Sequence, residues 1–146
     1  MSPPFSPDAA GSTPRRSAGE FPLAVVAAAG LGYDAYAHFD LADNFDANIA
    51  VLSQGTVFRI DAVFAALAGL LVLITRRRAA TIFAVLVAGG ALGAVLLYRY
   101  VNLGVLGPLP NMYEPGWYLE KTFSAVAEAV AVLAAGSLLF LPQYPK

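Results

Sequence analysis

The chain is predicted to be an all-α integral membrane protein, a four-helix bundle with its N and C termini cytoplasmic. Three observations carry this. Of its 146 residues, 58% are hydrophobic and 13% charged, with a mean hydropathy of +0.64, whereas a soluble domain carries about 25% charged residues. Four apolar segments divide the sequence, each with the roughly 20 residues needed to cross about 30 Å of hydrocarbon. Basic and acidic residues collect at opposite ends of those segments.

Residues 1–20, "MSPPFSPDAAGSTPRRSAGE", have almost nothing apolar to bury and read as a disordered cytoplasmic leader. The transmembrane domain covers 21–141, with spans at about 21–41, 57–75, 79–101 and 118–141, and a short cytoplasmic tail at 142–146. "TRRRAA" separates the second and third spans, so these two form a tight helical hairpin. Six of the nine basic residues, Arg15, Arg16, Arg76, Arg77, Arg78 and Lys146, fall on one side, and the positive-inside rule makes that side cytoplasmic. Arg59, Arg99 and Lys121 sit near the outer helix ends, with Asp61, Glu114 and Glu120 as acidic neighbours, and form the rim of any pocket there.

The stretch "LGYDAYAHFDLADNFDAN", residues 31–48, places Asp34 and the single histidine, His38, at the end of an apolar run. Their i, i+4 spacing sets them on one helix face, and ionisable groups at such depth face a bundle interior or a wet cavity. On the fourth span Glu120, Ser124 and Glu128 repeat the four-residue step and read as a polar stripe, with Glu128 the deepest charge. With Asp61 these residues are expected to converge on an outward-facing acidic pocket. The pocket suits proton or cation coupling through Asp34 and Glu128, or a divalent metal held by His38 and Asp34. Hydrogen bonding between helices accounts for the same residues without a ligand. The loop "NLGVLGPLPNMYEPGWYLEK", with a turn expected at Pro115–Gly116, is placed to bring Met112 and Glu114 over the pocket. Asp40, Asp43 and Asp46 lack the central glycine of a calcium loop and read as solvated.

Small residues four apart, Ala24–Ala28–Gly32, Ala62–Ala66, Ala65–Gly69, Gly89–Gly93 and Gly90–Ala94, have the spacing that lets helices approach closely in lipid. An alternative reading of the N-terminus is a signal peptide: a basic leader, an apolar stretch and Ala35-Tyr36-Ala37, with His38 as the new N-terminus after cleavage.

Several classes are excluded. There is no cysteine, hence no disulfide, thiolate metal site or Cys-x-x-Cys quinone chemistry. No phosphate loop, nucleophile elbow or zinc-protease motif is present, which weighs against an enzyme, and the few membrane-flanking basic residues do not suit nucleic acid. The segments "LSQGTVFRIDAVFAAL", "LLYRYVNLGVLGPLPNMYEPGWY" and "EKTFSAVAEAVAVLAA" resemble those of small multi-span bacterial membrane proteins with no assigned activity. That resemblance implies a multi-pass protein of the bacterial plasma membrane and nothing about chemistry. Small multidrug exporters and DoxX-type proteins are similar in size or span number alone. The expected function is a proton- or cation-coupled transporter or ion-binding protein; the alternative is a non-catalytic accessory subunit packed against a larger membrane complex. No cofactor is predicted beyond a divalent metal. The expected partners are the lipid bilayer and a homo-oligomer or larger complex.

Overall fold

The computed structural model describes residues 18–142. Asp8, Arg15, Arg16 and Lys146, and with them most of the leader and tail, lie outside the described residues. Four helices follow one another: α1 (Glu20–Ala42), α2 (Gln54–Thr75), α3 (Arg78–Tyr100) and α4 (Leu119–Phe140), with a short 3-10 turn at Asp43–Phe45. No strand occurs among the described residues, only isolated bridges in the two long loops. Neighbours in sequence are neighbours in space, and α4 closes the ring against α1.

The helix ends have local causes. Ser53 caps α2, its hydroxyl accepting the Thr56 amide at 3.0 Å. At the other end Arg76 takes the left-handed conformation (φ 47°), so that Arg76 and Arg77 alone reverse the chain into α3. Its guanidinium lies over the Phe21 ring of α1. Among the described residues the basic hairpin and the start of α1 therefore share one end of the bundle. The opposite end carries the loops 43–53 and 101–118.

Those two loops are tied together. The Leu52 amide donates to the Pro108 carbonyl at 2.9 Å, and the Asn48 side-chain amide donates to both Gln54 Oε1 (2.7 Å) and the Asn111 carbonyl (2.8 Å). The second loop reverses between Leu106 and Leu109, with Gly107 at φ 55°. The turn expected at Pro115–Gly116 is not formed. There the chain runs on without turning, and its carbonyls serve Lys121.

The core is built from small residues. Ala24, Ala27, Leu31, Ala65, Ala68, Val72, Ala84, Ala88, Ala131, Ala134, Ala135 and Leu138 form one buried cluster. Large apolar side chains point outward instead: Leu133 is 70% exposed and Phe140 90%. The inward positions alternate three and four residues apart: 24, 27, 31, 34 on α1; 62, 65, 69, 72 on α2; 81, 84, 88, 91 on α3; 121, 124, 128, 131, 135, 138 on α4. This is the heptad seam of coiled-coil packing.

That seam revises the four-residue reading. Gly30, not Gly32, lets α1 approach α4: a Cβ there would stand 2.6 Å from the Ala127 carbonyl oxygen of α4, while Gly32 has open space. Gly69 packs on Ala28 and Leu31, but a Cβ on Gly90 or Gly93 would meet nothing within 4 Å. Three helices, α2, α3 and α4, are long and apolar enough to cross a membrane. The fourth expected span, α1, matches them in length, with 23 residues. Asp34, His38 and Asp40 in its second half dilute its apolar character.

Candidate functional site

Asp34 and Glu128 occupy core positions of the heptad seam on α1 and α4, and both are fully buried. Ser124, one turn before Glu128, links them: its hydroxyl lies 2.9 Å from Glu128 Oε1 and 3.4 Å from Asp34 Oδ1. One turn after Asp34, His38 turns its Nδ1 back to Asp34 Oδ1 at 2.7 Å, and Asp61 Oδ2 of α2 lies 3.4 Å from the same nitrogen. The His38 ring is held edge-on by Phe58. Four of the five expected core-site residues, Asp34, His38, Asp61 and Glu128, thus gather in one cluster.

The fifth does not. Glu120 is exposed, and Lys121 takes the inward position instead. The reason is helix geometry: each four-residue step advances about 40° beyond a full turn, so two steps carry Glu120 off the face that holds Glu128. Steps of three and then four, from Lys121 to Ser124 to Glu128, stay on it.

A cavity of about 180 Å³ opens from the cluster toward the loop end of the bundle. His38, Asp61 and Ser124 form its polar floor, Phe45, Phe58 and Val95 part of its apolar wall, and Met112, Glu114, Tyr118 and Lys121 its roof. The second loop therefore brings Met112 and Glu114 over the pocket. Lys121 Nζ donates to the carbonyls of Glu114 (2.6 Å) and Gly116 (3.0 Å), which fastens that loop across the cavity.

The rim arginines have other partners than their sequence neighbours. Arg59 grips Asp46 through two hydrogen bonds of 2.8 Å and also binds Asp43, leaving Asp61 to His38. The guanidinium beside Asp46 holds that carboxyl below its usual range. Arg99 lies over the Tyr100 and Trp117 rings rather than against Glu114. Neither arginine lines the cavity.

Gly55 and Asn48 were not legible as site-shaping residues. A Cβ on Gly55 would collide with Asp46 Oδ1 and the Ala42 carbonyl, so only glycine lets the first loop fold onto α2. The Ser53-Gln54-Gly55 run ahead of an apolar helix is the one signal that could have marked it.

Chemically, the cluster offers three carboxylates, one hydroxyl and one imidazole in a confined volume. Asp34 Oδ2 and Glu128 Oε2 are buried without a hydrogen-bond partner, and Asp61 Oδ2 has only the 3.4 Å approach of His38 Nδ1. Among the described residues no lysine or arginine pairs with these three carboxylates. Such a group of buried acceptors costs free energy until a proton or a cation joins it. No protein-family model, no curated protein and no solved structure matches the chain.

Proposed function

We propose that the chain is a four-span, multi-pass protein of the bacterial plasma membrane, with cytoplasmic termini, that takes up a cation or proton from the extracytoplasmic side into the Asp34–His38–Asp61–Glu128 cluster. In this reading it is a small ion-binding protein or cation-coupled transporter. One observation carries it: two fully buried carboxylates from facing helices, each with an oxygen lacking a partner, lie beneath a cavity that opens at one end of the bundle.

The membrane setting is supported by the distribution of side-chain size. Alanine dominates the interior, joined by Leu31, Val72 and Leu138, while most leucine, valine and phenylalanine side chains lie on the outside, an arrangement that suits hydrocarbon rather than water as the surrounding solvent. α1 spans with the others in this reading because Asp34 and His38 face the bundle and not the lipid. The basic hairpin at Arg76–Arg78 sets the cytoplasmic side.

A topology reporter fused after Lys146 should report a cytoplasmic C-terminus. Proteoliposomes of the full chain loaded with a cation-sensitive dye should then show uptake that Glu128→Gln abolishes. Absence of any cation-dependent signal, together with a stoichiometric partner in pull-down, would replace this reading with that of an accessory subunit.

A further inference from the structure

We infer that Asp34, His38 and Glu128 form a binding site for one divalent transition-metal ion, with Asp61 beside them as a further oxygen donor. The inference rests on the cation reading above and narrows it to one class of ion.

The donors are already assembled. One ligand atom from each of Asp34, His38 and Glu128 lies within 4.8 Å of the others. An ion held at about 2.0–2.2 Å sets its donors roughly 3–3.5 Å apart, so small side-chain rotations close the set. Two of the three donors are fully buried, and the second oxygen of each, Asp34 Oδ2 and Glu128 Oε2, has no hydrogen-bond partner.

Charge selects the valence. Once deprotonated, two buried carboxylates carry two negative charges in a region of low dielectric, and a divalent ion neutralises both at once. Apart from His38 itself, the basic side chains nearest in the fold are committed elsewhere: Arg59 to Asp43 and Asp46, Lys121 to two carbonyls, Arg99 to two rings. Besides the cluster's own residues, the ionisable groups lining the cavity above it are Tyr98 from α3, Glu114 and Tyr118 from the loop, and Lys121 from α4.

Donor type selects the element. Magnesium and calcium prefer six or more oxygens, whereas one imidazole with two or three carboxylates suits Mn²⁺, Fe²⁺, Co²⁺ or Zn²⁺. With no cysteine in the chain, soft Cu⁺ is disfavoured. The cavity supplies what a closed structural site lacks: space beside His38, Asp61 and Ser124 for a water or an exchanging ligand. Ser124, donating to Glu128 Oε1 at 2.9 Å with Asp34 Oδ1 3.4 Å away, sits as an orienting group of the kind that ligating carboxylates usually have.

The test uses the full chain, purified in detergent, stripped with EDTA and dialysed against Zn²⁺ in the presence of excess Mg²⁺ and Ca²⁺. Elemental analysis should find one Zn²⁺ per chain, and Co²⁺ in its place should give visible absorption bands of a nitrogen- and oxygen-ligated ion. Asp34→Asn, Glu128→Gln and His38→Gln should each weaken Zn²⁺ binding at least about tenfold, while exposed Glu120→Gln leaves it unchanged. Circular dichroism checks that each variant is folded, and His38→Gln, at a partly open position, decides the matter if a carboxylate variant is not. Zn²⁺ well below one per chain, displacement by Mg²⁺, or unchanged binding in folded His38→Gln would overturn the inference. Cation uptake lost in Glu128→Gln without Zn²⁺ binding would overturn the metal site and leave the broader cation reading standing.

Discussion

The two ends of this bundle use the same seam for opposite purposes. Toward the Arg76–Arg77 hairpin, core positions carry Ala24, Ala27, Ala65, Ala68, Ala84, Ala131 and Ala135, and the helices close on one another. Toward the loops, the same seam carries Asp34, Ser124, Glu128 and Lys121, and Phe45, Phe58, Tyr98 and Tyr118 line an opening between the helices. A tight end fixes the geometry from which an open end can present costly polar groups. The close approach of α1 and α4 at Gly30 lies just one turn from Asp34, so it is the joint between the two regimes.

The largest effect is therefore expected at that joint. Gly30→Leu should prevent the α1–α4 contact, because even a Cβ meets backbone at Ala127, and overpacking of this kind costs about 1–3 kcal/mol. Gly32→Leu, two residues away in open space, should be tolerated. Thermal unfolding followed by circular dichroism reads both, and equal damage from the two substitutions would contradict the seam.

A substitution in the open end should act on access and not on folding. Gly90 lines the cavity and has nothing within 4 Å of a Cβ position. Gly90→Leu should keep or raise thermal stability, since it replaces a helix-interior glycine at about 1 kcal/mol, while slowing or blocking cation binding. Stopped-flow binding kinetics separate the two effects.

Smaller changes are expected in the cap. Asn48→Ala removes bonds to Gln54 and Asn111 and should cost about 1 kcal/mol or somewhat more, seen as faster amide exchange in both loops together. Asp46 carries the smallest effect and the one with a pH signature. Its folded pKa lies below the unfolded value because Arg59 binds the charged form, so its contribution is present above about pH 4 and is lost as pH falls through the lower folded value. Asp46→Asn should remove that acid-dependent loosening of the loops, as exchange measured across the acid range would show.

Composition and apolar runs made four helices legible, and the Arg-rich link made the α2–α3 hairpin legible, because both follow from hydrophobicity summed over many residues. Phase around each helix was less legible. A four-residue ruler brought Asp34 to His38 and Ser124 to Glu128 correctly, since one step accumulates little rotation. Over two steps it misplaced Glu120, and it favoured Gly32 over Gly30. The 3-4 alternation was present in the sequence, but a chain so rich in alanine offers many competing registers. Partners of long side chains were the least legible: Arg59 reaches Asp46 and Lys121 reaches back to Glu114 because loops fold across the helix ends, and no spacing rule records that.

The two glutamates of α4 give the most direct test of whether the buried cluster binds a cation or merely joins helices. Thermal unfolding of the EDTA-stripped protein, with and without Zn²⁺ at a hundred times its dissociation constant, should show a stabilisation of about 2.7 kcal/mol in the wild type and in Glu120→Gln. Glu128→Gln keeps the shape and the Ser124 contact, so it should fold as the wild type does and, with binding weakened at least about tenfold, be stabilised by Zn²⁺ by no more than about 1.4 kcal/mol. A Glu128→Gln protein stabilised by Zn²⁺ as strongly as the wild type, or a wild type indifferent to Zn²⁺, would contradict the account and reduce Asp34, Ser124 and Glu128 to a hydrogen-bonded link between α1 and α4.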